Sequence, residues 1–592
     1  MGTAQPPRFV EGSAQTLSLV VRVVPDISGI DKTFDYLVPE HFGNVEVGTI
    51  VRVTLNGRRV DAWVVDLVGS RADVTSYELK EILAVASVGP SPDVVALASW
   101  CSRRFIGPLR AVLSIASPPN RVKKVIMRAT APKNASRTTL PEVDRLGNLG
   151  GGVVVWPPMR PWRQFLESAL ARGRTLVVCP GVSTARTIAT ALRREGFTVA
   201  LMPDDWQRAA EGVDVVVGAR SAVWAPCNQL RSIVVLDEHD ERLQDERTPT
   251  WHVRDVAIER ATRVGASCFL VSPMPTVSAV EWAGESRMVT VAVDAVGWPT
   301  ITVVDPHTGL GDGEAPRIGL LSSSLIAALR DTSKVVACVL NVKGRARLVV
   351  CKSCHEVARC EVCDAAMNLD GGLECRACGH RRPEVCGRCG SGAFALLRKG
   401  VSRAREEIEA AAGRHVIEVT GETIEPVNTA GAVYVGTEAM LHRLNAADVV
   451  AFLDFDNEVF APTYRAGEHA WSLVVLASRL VRGAAEPRII LQSNNATSPI
   501  VSAFASHDVP TLIAAERDKR RMLQLPPFSF MARAVGDDEG SNFLASPPLG
   551  VSVATVRPGE WLIRAGDEDQ FVDFCGSLRK ANFRVYSDPQ RY

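Results

Sequence analysis

Apolar and polar positions change their periodicity several times along the chain, and each change indicates a new structural unit. Residues 17–90 alternate β-branched runs such as LSLVVRVV with polar turn signals. Asn56-Gly57, between two such runs, has the composition of a two-residue hairpin turn. This pattern predicts a small all-β domain over residues 17–90.

A helical pattern follows this domain. From Ser91 to Ala116 the apolar residues recur at helical spacing, and residues 118–136 are polar and basic. We therefore expect a basic helical or winged module that ends in a linker, over residues 91–140.

The rest of the chain alternates strand-like and helical stretches. Runs such as GVVVW, RTLVVCP and SIVVLDE occupy residues 150–310. A second set, including VVACVLN, AVYVGTE and RIILQS, covers residues 311–350 and 390–490, on either side of a cysteine cluster at 351–389. Because strands buried on both faces are continuously apolar, the expected fold class is multidomain α/β, with two parallel α/β domains and a zinc-binding insertion. Residues 491–592 combine strand-like runs with a final amphipathic helix, which predicts a small α+β domain.

Chain length and composition fit a soluble protein of several domains. A chain of 592 residues, 46% hydrophobic and 22% charged, exceeds one hydrophobic core and divides into roughly three to five domains. No run reaches the ~18 apolar residues of a membrane span, and Met1 to Val10 lacks the features of a secretory signal. We therefore expect a cytoplasmic location and no membrane partner.

Charge is unevenly distributed, although the formal net charge is only +1. No acidic residue lies between Asp93 and Glu142. A cationic segment of this kind can displace counterions from a phosphate backbone, which predicts a contact with nucleic acid; the alternative is a solvated basic face or linker. The basic residues between these two acids are Arg103, Arg104, Arg110, Arg121, Lys123, Lys124, Arg128, Lys133 and Arg137.

Eight of the 14 cysteines form four Cys-x-x-Cys pairs between Cys351 and Cys389. A two-residue spacer lets a tight turn direct both sulfurs to one ion, and two such turns complete a tetrahedral site with Zn–S bonds of about 2.3 Å. Eight ligands predict two closed, structural zinc sites, and the spacing leaves open which pairs share an ion. His355 and His380 are neighbouring alternative ligands. Six further cysteines have the character of buried small hydrophobic residues: Cys101, Cys179, Cys227, Cys268, Cys338 and Cys575.

Several short segments carry a family resemblance. They include Thr33-Phe34-Asp35-Tyr36, Gly218-Ala219-Arg220-Ser221-Ala222, His252-Val253-Arg254-Asp255 and Leu525-Pro526-Pro527-Phe528. Together with the order of the cysteine pairs, they resemble the primosomal protein N-prime family, the replication-restart helicase PriA, over nearly the whole chain. The resemblance implies that the two parallel α/β domains are helicase-like lobes in a degenerate form.

The resemblance implies a site for a DNA 3′ end and a pairing of the cysteines. Phe34, Asp35, Tyr36 and Lys80 stand in the segments with which the family binds a 3′ end. In the family, the first and last cysteine pairs share one ion and the two middle pairs share the other. The implied ligands are Cys351, Cys354, Cys386 and Cys389 for zinc 1, and Cys360, Cys363, Cys375 and Cys378 for zinc 2.

The phosphate-binding loop departs from the family pattern. Such a loop needs glycines with free backbone amides, followed by a lysine and a hydroxyl residue. Residues 157–163 read PPMRPWR instead. Three prolines remove three amide donors and fix φ where glycines would bend freely. The sequence therefore predicts that the loop does not bind ATP phosphates.

The magnesium-binding motif is altered as well. Leu236 stands at the position of the family's metal-orienting aspartate, followed by Asp237 and Glu238. A leucine cannot hold a magnesium shell. Arg479 and Arg482 remain as arginine-finger candidates near the end of the second α/β domain. We do not expect ATP as a cofactor, and we expect the polar residues of this motif to be remnants without a catalytic role. These residues are Asp237, Glu238, Arg479 and Arg482.

The leading functional interpretation is a replication restart protein without helicase activity of its own. It would bind stalled forks, and its partners would be forked DNA, primosome components, the replicative helicase and single-stranded-DNA-binding protein, in a nucleoid-associated location. One alternative is an ATP-dependent 3′ to 5′ DNA helicase with a divergent nucleotide site. A second alternative is a zinc-ribbon scaffold that contacts only proteins.

Overall fold

The computed structural model describes residues 19–70, 79–128, 140–291, 297–305, 321–341, 349–354, 358, 360–361, 367–369, 371–375, 380–396, 401–419, 430–461, 463–537 and 544–590. Short 3₁₀ helices lie at Glu40–Phe42, Arg220–Trp224, Glu241–Leu243, Glu285–Arg287, Glu438–His442 and Val481–Gly483.

The N-terminal domain is a small antiparallel barrel, which confirms the all-β prediction. Its strands are β1 (Leu19–Pro25), β2 (Phe34–Val38), β3 (Ile50–Leu55), β4 (Arg58–Ser70) and β5 (Ala84–Ser87), in the order β2-β1-β4-β3-β5. Asn56 and Gly57 turn the β3–β4 hairpin with φ angles of 47° and 75°, as expected for this dipeptide. The Leu37 N–H donates to the Lys80 carbonyl oxygen over 2.9 Å, which joins β2 to the segment before β5 and closes the sheet.

Two helices follow, α1 (Pro92–Arg104) and α2 (Leu109–Ala116), where the apolar spacing predicts them. Their apolar faces share one hydrophobic core with the next domain. The Trp206 indole of that domain donates to the Ala116 carbonyl oxygen over 3.0 Å. Residues 117–128 add no strand that would form a wing. The helices therefore belong to the face of the first α/β domain and do not form a separate winged module.

The first α/β domain is a parallel sheet with helices on both faces. Its strands are β6 (Gly151–Val155), β7 (Thr175–Val178), β8 (Val199–Leu201), β9 (Val215–Gly218), β10 (Ser232–Leu236), β11 (Ser267–Ser272) and β12 (Met288–Thr290), in the order β12-β6-β11-β10-β7-β9-β8. Its helices are α3 (Pro141–Asn148), α4 (Arg163–Leu170), α5 (Val182–Arg194), α6 (Trp206–Glu211), α7 (Val253–Val264) and α8 (Val277–Ala283). Strand residues buried on both faces account for the continuous apolar runs.

The second α/β domain begins with β13 (Thr300–Val304), α9 (Ser323–Arg330) and β14 (Val336–Val339). The cysteine-rich insertion follows, with short antiparallel strands β15 (Val349–Cys351), β16 (Asn368–Leu369), β17 (Leu373–Glu374), β18 (Arg381–Arg382) and β19 (Phe394–Leu396). Because β13 pairs with a strand of the second sheet, the first α/β domain ends before residue 300, not at the predicted 310.

After the insertion the second domain resumes with α10 (Val401–Ala412), β20 (Val416–Val419), β21 (Val433–Gly436), β22 (Val449–Phe452), α11 (Asp456–Val459), α12 (Ala466–Leu480) and β23 (Arg488–Gln492). The parallel sheet has the order β13-β23-β22-β14-β21-β20.

The C-terminal part contains α13 (Pro499–Ala505), α14 (Val509–Met522), β24 (Phe530–Val535), β25 (Val551–Arg557), β26 (Glu560–Ala565), α15 (Glu568–Lys580) and β27 (Arg584–Ser587). Helices α13 and α14 pack on the core of the second α/β domain. The four strands form an antiparallel sheet, β25-β26-β24-β27, that shares its own core with α15. Hydrogen bonds from Thr250 and Gln244 to the backbone of residues 587–588 fix this sheet against the first α/β domain.

Candidate functional site

Four cysteines come together where β15 pairs with β19 in the insertion. The sulfurs of Cys351, Cys354, Cys386 and Cys389 all lie within 4.8 Å of one another. The Cys351 and Cys389 sulfurs are 3.5 Å apart, and the Cys354 and Cys386 sulfurs are 3.6 Å apart. A tetrahedron with bonds of about 2.3 Å has an edge of about 3.8 Å, so the cluster has the dimensions of one closed metal site.

Backbone amides prepare these thiols to be ligands. The N–H groups of Cys354 and Ser353 lower the pKa of Cys351 to about 6. The corresponding amides of Cys389 and Arg388 lower the pKa of Cys386. Because the thiolate is the form that binds metal, each two-residue turn directs its sulfurs to one point and favours deprotonation of its first cysteine.

The structure describes only one cysteine of each middle pair. Cys360 and Cys375 are buried in the small core of the insertion. Cys363 and Cys378 lie outside the described residues, so the second zinc site stays a prediction.

The residues of the implied DNA-end site lie at the β2 edge of the barrel. The Asp35 carboxylate, 26% exposed, accepts two hydrogen bonds from Arg22, at 2.9 and 3.2 Å. Lys80 is exposed, and its carbonyl oxygen accepts a hydrogen bond from the N–H of Leu37, which lies on β2 with Asp35. The fold therefore brings Asp35 and Lys80 to one edge, and it adds Arg22, which the sequence does not single out.

The aromatic residues of this site are less available than their sequence suggests. Tyr36 is 4% exposed, and its hydroxyl donates to the Thr54 carbonyl oxygen over 2.9 Å. Phe34 is half-buried and packs against the same barrel core. Tyr36 therefore offers no ring for base stacking, because its side chain points inward with the alternation of β2, and Phe34 is exposed only in part.

The loop after β6 follows the strand–loop–helix path of a phosphate-binding loop. The Met159 N–H donates to the Gly297 carbonyl oxygen over 3.2 Å, and the Arg160 N–H donates to the Pro157 carbonyl oxygen over 3.2 Å. The Trp156 indole donates to the Arg160 carbonyl oxygen over 3.2 Å and stacks on Trp162 at 6.4 Å. Prolines without N–H groups occupy three more positions. Five positions of the loop therefore offer no free amide to a phosphate.

A carboxylate lies between the two α/β domains, directly after Leu236. Leu236 is fully buried at the end of β10, and Asp237 follows with a φ of 54°. Both oxygens of Asp237 accept hydrogen bonds from Arg479 of α12. The Arg479 guanidinium also lies over the Trp162 ring, 5.4 Å from its centroid. The arginine-finger candidate is therefore an ion-pair partner of the carboxylate.

Glu238 is a structural residue. Its fully buried carboxylate accepts from the Arg254 guanidinium over 2.9 Å and from the Thr276 hydroxyl and N–H over 2.6 and 3.1 Å. These bonds join the segment after β10 to the first turn of α7 and to the residue before α8. Arg482, in contrast, is exposed at the end of α12.

The chain is similar in sequence to proteins of a known family. Residues 22–118 match the family model of the PriA 3′DNA-binding domain (3′BD). Replication restart protein PriA of Bacillus subtilis (strain 168) is 26% identical over 408 residues, which are 62% of this chain and 50% of that protein. The probable PriA of Mycobacterium bovis is 28% identical over 572 residues, covering 86% of this chain and 85% of the relative. The PriA of Rickettsia conorii is 23% identical and covers 87% of each chain.

The chain is similar to replication restart protein PriA over most of its length. This confirms the family resemblance seen in the sequence. The PriA 3′DNA-binding domain model covers the barrel and both helices, α1 and α2. Among solved structures, the match to Saccharomyces cerevisiae Dbp5 bound to RNA and ADP BeF3 covers 65% of this chain and 88% of the Dbp5 chain. The two sequences are 12% identical, and the TM-score is 0.33.

The basic segment is partly neutralised in the folded protein. Acids that are distant in sequence form ion pairs with five of its arginines, at 2.5–2.9 Å. The pairs are Arg103–Asp569, Arg104–Glu568, Arg110–Asp26, Arg121–Asp61 and Arg128–Glu211. Lys133 and Arg137 lie outside the described residues.

The cysteines outside the insertion behave as the sequence predicts. Burial raises the pKa of Cys227 to about 11 and that of Cys268 to about 12. Such thiols are poor nucleophiles at neutral pH. In the part of the chain that the structure covers, no helix combines the length and apolar composition of a bilayer crossing.

Proposed function

We propose that this PriA-like chain binds stalled replication forks through its N-terminal domain and promotes reassembly of the replication machinery without hydrolysing ATP. The observation that carries this proposal is the match of residues 22–118 to the PriA 3′DNA-binding domain, combined with a carboxylate and a lysine at one edge of that domain. The partners are forked DNA, primosome components, the replicative helicase and single-stranded-DNA-binding protein, at the nucleoid in the cytoplasm.

The DNA 3′ end is recognised by its hydroxyl and its last phosphate. The Asp35 carboxylate is partly exposed and accepts from the terminal 3′ hydroxyl, while its hydrogen bonds with Arg22 keep it oriented. Lys80 meets the adjacent phosphate. Phe34 offers the exposed part of its ring to the terminal base. Tyr36 supports the site from within the barrel, because its hydroxyl fixes β2 to β3.

ATP hydrolysis is not part of this function. Phosphoryl transfer needs a phosphate cradle, a magnesium ligand and a free arginine in place together. The loop amides of Met159 and Arg160 are bonded to carbonyl oxygens. Asp237 and Arg479 neutralise each other, so neither is available to a metal ion or a phosphate. We infer that this pair now serves to hold the two α/β domains together.

Two structural zinc ions stabilise the insertion. Cys351, Cys354, Cys386 and Cys389 have the dimensions of a zinc site, and backbone amides lower the pKa of Cys351 and Cys386. Cys360, Cys363, Cys375 and Cys378 complete a second one. Closed Cys₄ sites leave no position for water or substrate, so both ions have a structural role.

The 3′-end contact is tested with forks whose leading-strand 3′ end is free or blocked by a phosphate. We expect the parent protein to bind the free-end fork at least tenfold more tightly, because a hydrogen bond to a charged group contributes about 1.5–3 kcal/mol. Asp35→Ala should bind both forks alike. Fluorescence anisotropy measures both affinities.

Asp66→Ala is the matched control, because Asp66 is an exposed carboxylate on the other side of Arg22 in the same sheet. This variant should keep the preference for a free end. Equal affinity of the parent protein for the two forks would exclude 3′-end recognition.

A further inference from the structure

The outer face of the β3–β4 hairpin concentrates positive charge around a single carboxylate. Arg52 lies opposite Asp61 and Thr54 lies opposite Arg59 in the strand register. The Asp61 carboxylate contacts Arg52 at 2.8 Å and Arg121 at 2.9 Å. One negative charge is therefore shared by two guanidiniums, which remain partly exposed.

Three more cations surround this cluster. Arg59 is on the same face of β4 as Asp61, two residues away, and it is exposed. Lys123 and Lys124 are also exposed and follow Arg121 directly. Val122 fixes their segment to the end of β5, since its N–H donates to the Ser87 hydroxyl over 2.9 Å. We call Arg52, Arg59, Arg121, Lys123 and Lys124 the basic face.

The basic face differs from the other cations of the region. Within the described residues, Arg59, Lys123 and Lys124 have no ion-pair partner, whereas Arg22, Arg104 and Arg110 are each paired with an acid of their own. Five cations around one carboxylate leave a local excess of positive charge. An excess held on a rigid hairpin is suited to a polyanion.

We propose that the basic face binds the phosphate backbone of a duplex arm of the fork. The proposal rests on the proposed function and extends it to a second DNA contact. The two contacts are linked, because the Tyr36 hydroxyl of the end site bonds to Thr54 of the hairpin. The outward side chains of this hairpin, Arg52, Thr54, Arg59 and Asp61, include no aromatic ring. Single-strand binding relies on such rings, so the face suits duplex DNA.

The test is the salt dependence of binding to a duplex with phosphate-blocked 3′ ends, which leaves the end site unused. For the variant Arg59→Ala/Lys123→Ala/Lys124→Ala, we expect the slope of log affinity against log salt to fall by about 2–3, because each lost phosphate contact contributes ~0.9. On forks, the variant should bind more weakly but keep the parent's preference for a free 3′ end.

The control removes three exposed arginines of the first α/β domain: Arg186→Ala/Arg194→Ala/Arg208→Ala. It loses the same charge and should keep the parent slope on duplex. A parental slope in the first variant would overturn the basic face as a duplex site, as would a loss confined to single strands. If the parent protein bound no fork at all, the proposed function would fail instead.

Discussion

Cys386→Ser is expected to lower the metal content by one ion per chain and to unfold the insertion. Binding of zinc to such sites is coupled to folding and contributes about 10–16 kcal/mol in isolated zinc fingers. A serine leaves three sulfurs, and a hydroxyl is a much weaker ligand than a thiolate. Elemental analysis should give two zinc ions for the parent and one for the variant, and limited proteolysis should cut the variant between residues 349 and 396.

Cys227→Ser is the matched control, because Cys227 is a partly buried cysteine far from the insertion in sequence. It should keep both ions and the parental proteolysis pattern. A parent protein with no bound metal, or a Cys386→Ser variant with the parent's metal content, would contradict the assignment of the four ligands.

Glu238→Ala should be among the most destabilising single substitutions in the first α/β domain. The carboxylate is fully buried and holds Arg254, whose side chain is only 5% exposed. Removing one partner of a buried ion pair costs about 3–5 kcal/mol when the other charge is left uncompensated; because Arg254 keeps its ion pair with Asp255 over 3.0 Å, we expect the lower end of this range, about 3 kcal/mol. The free energy of unfolding, measured by chemical denaturation with a probe in this domain, should fall by that amount; a domain-specific probe is needed since the chain has several cores.

Two comparisons separate this effect from a general loss of charge. Glu259→Ala breaks an exposed pair with Arg263 and should cost less than about 1 kcal/mol. Glu238→Gln keeps an acceptor for the Thr276 hydroxyl and should be milder than the alanine variant. Equal stability of Glu238→Ala and Glu259→Ala would show that the bonds from Glu238 to Arg254 and Thr276 do not stabilise this domain.

Local patterns predicted the elements of this fold because their causes are local. Continuous β-branched runs gave the parallel strands, and Asn56-Gly57 gave the hairpin turn, since few other residues adopt two positive φ angles in succession. The spacing of the cysteines predicted the knuckle turns. The pairing of the first knuckle with the last followed from the family resemblance and agrees with the distances between the four sulfurs.

Long-range contacts were not predictable in this way. Arg103 forms an ion pair with Asp569, a residue 466 positions away, so the local charge around the basic segment is less positive than its sequence indicates. The partner of Asp35 is set by the register between β1 and β2, and the burial of Tyr36 by the closure of the barrel. The bond from Arg479 to Asp237 joins two domains. No periodicity within either segment signals it.

We propose that the protein binds forks without using ATP. The most direct test is a titration of the purified chain against a labelled fork with a free 3′ end, with and without Mg-ATP, while phosphate release is followed in the same samples. The account predicts one binding curve for both conditions, and phosphate release equal to that of a sample without protein. DNA-stimulated hydrolysis that co-elutes with the chain and disappears in Asp237→Ala would contradict it.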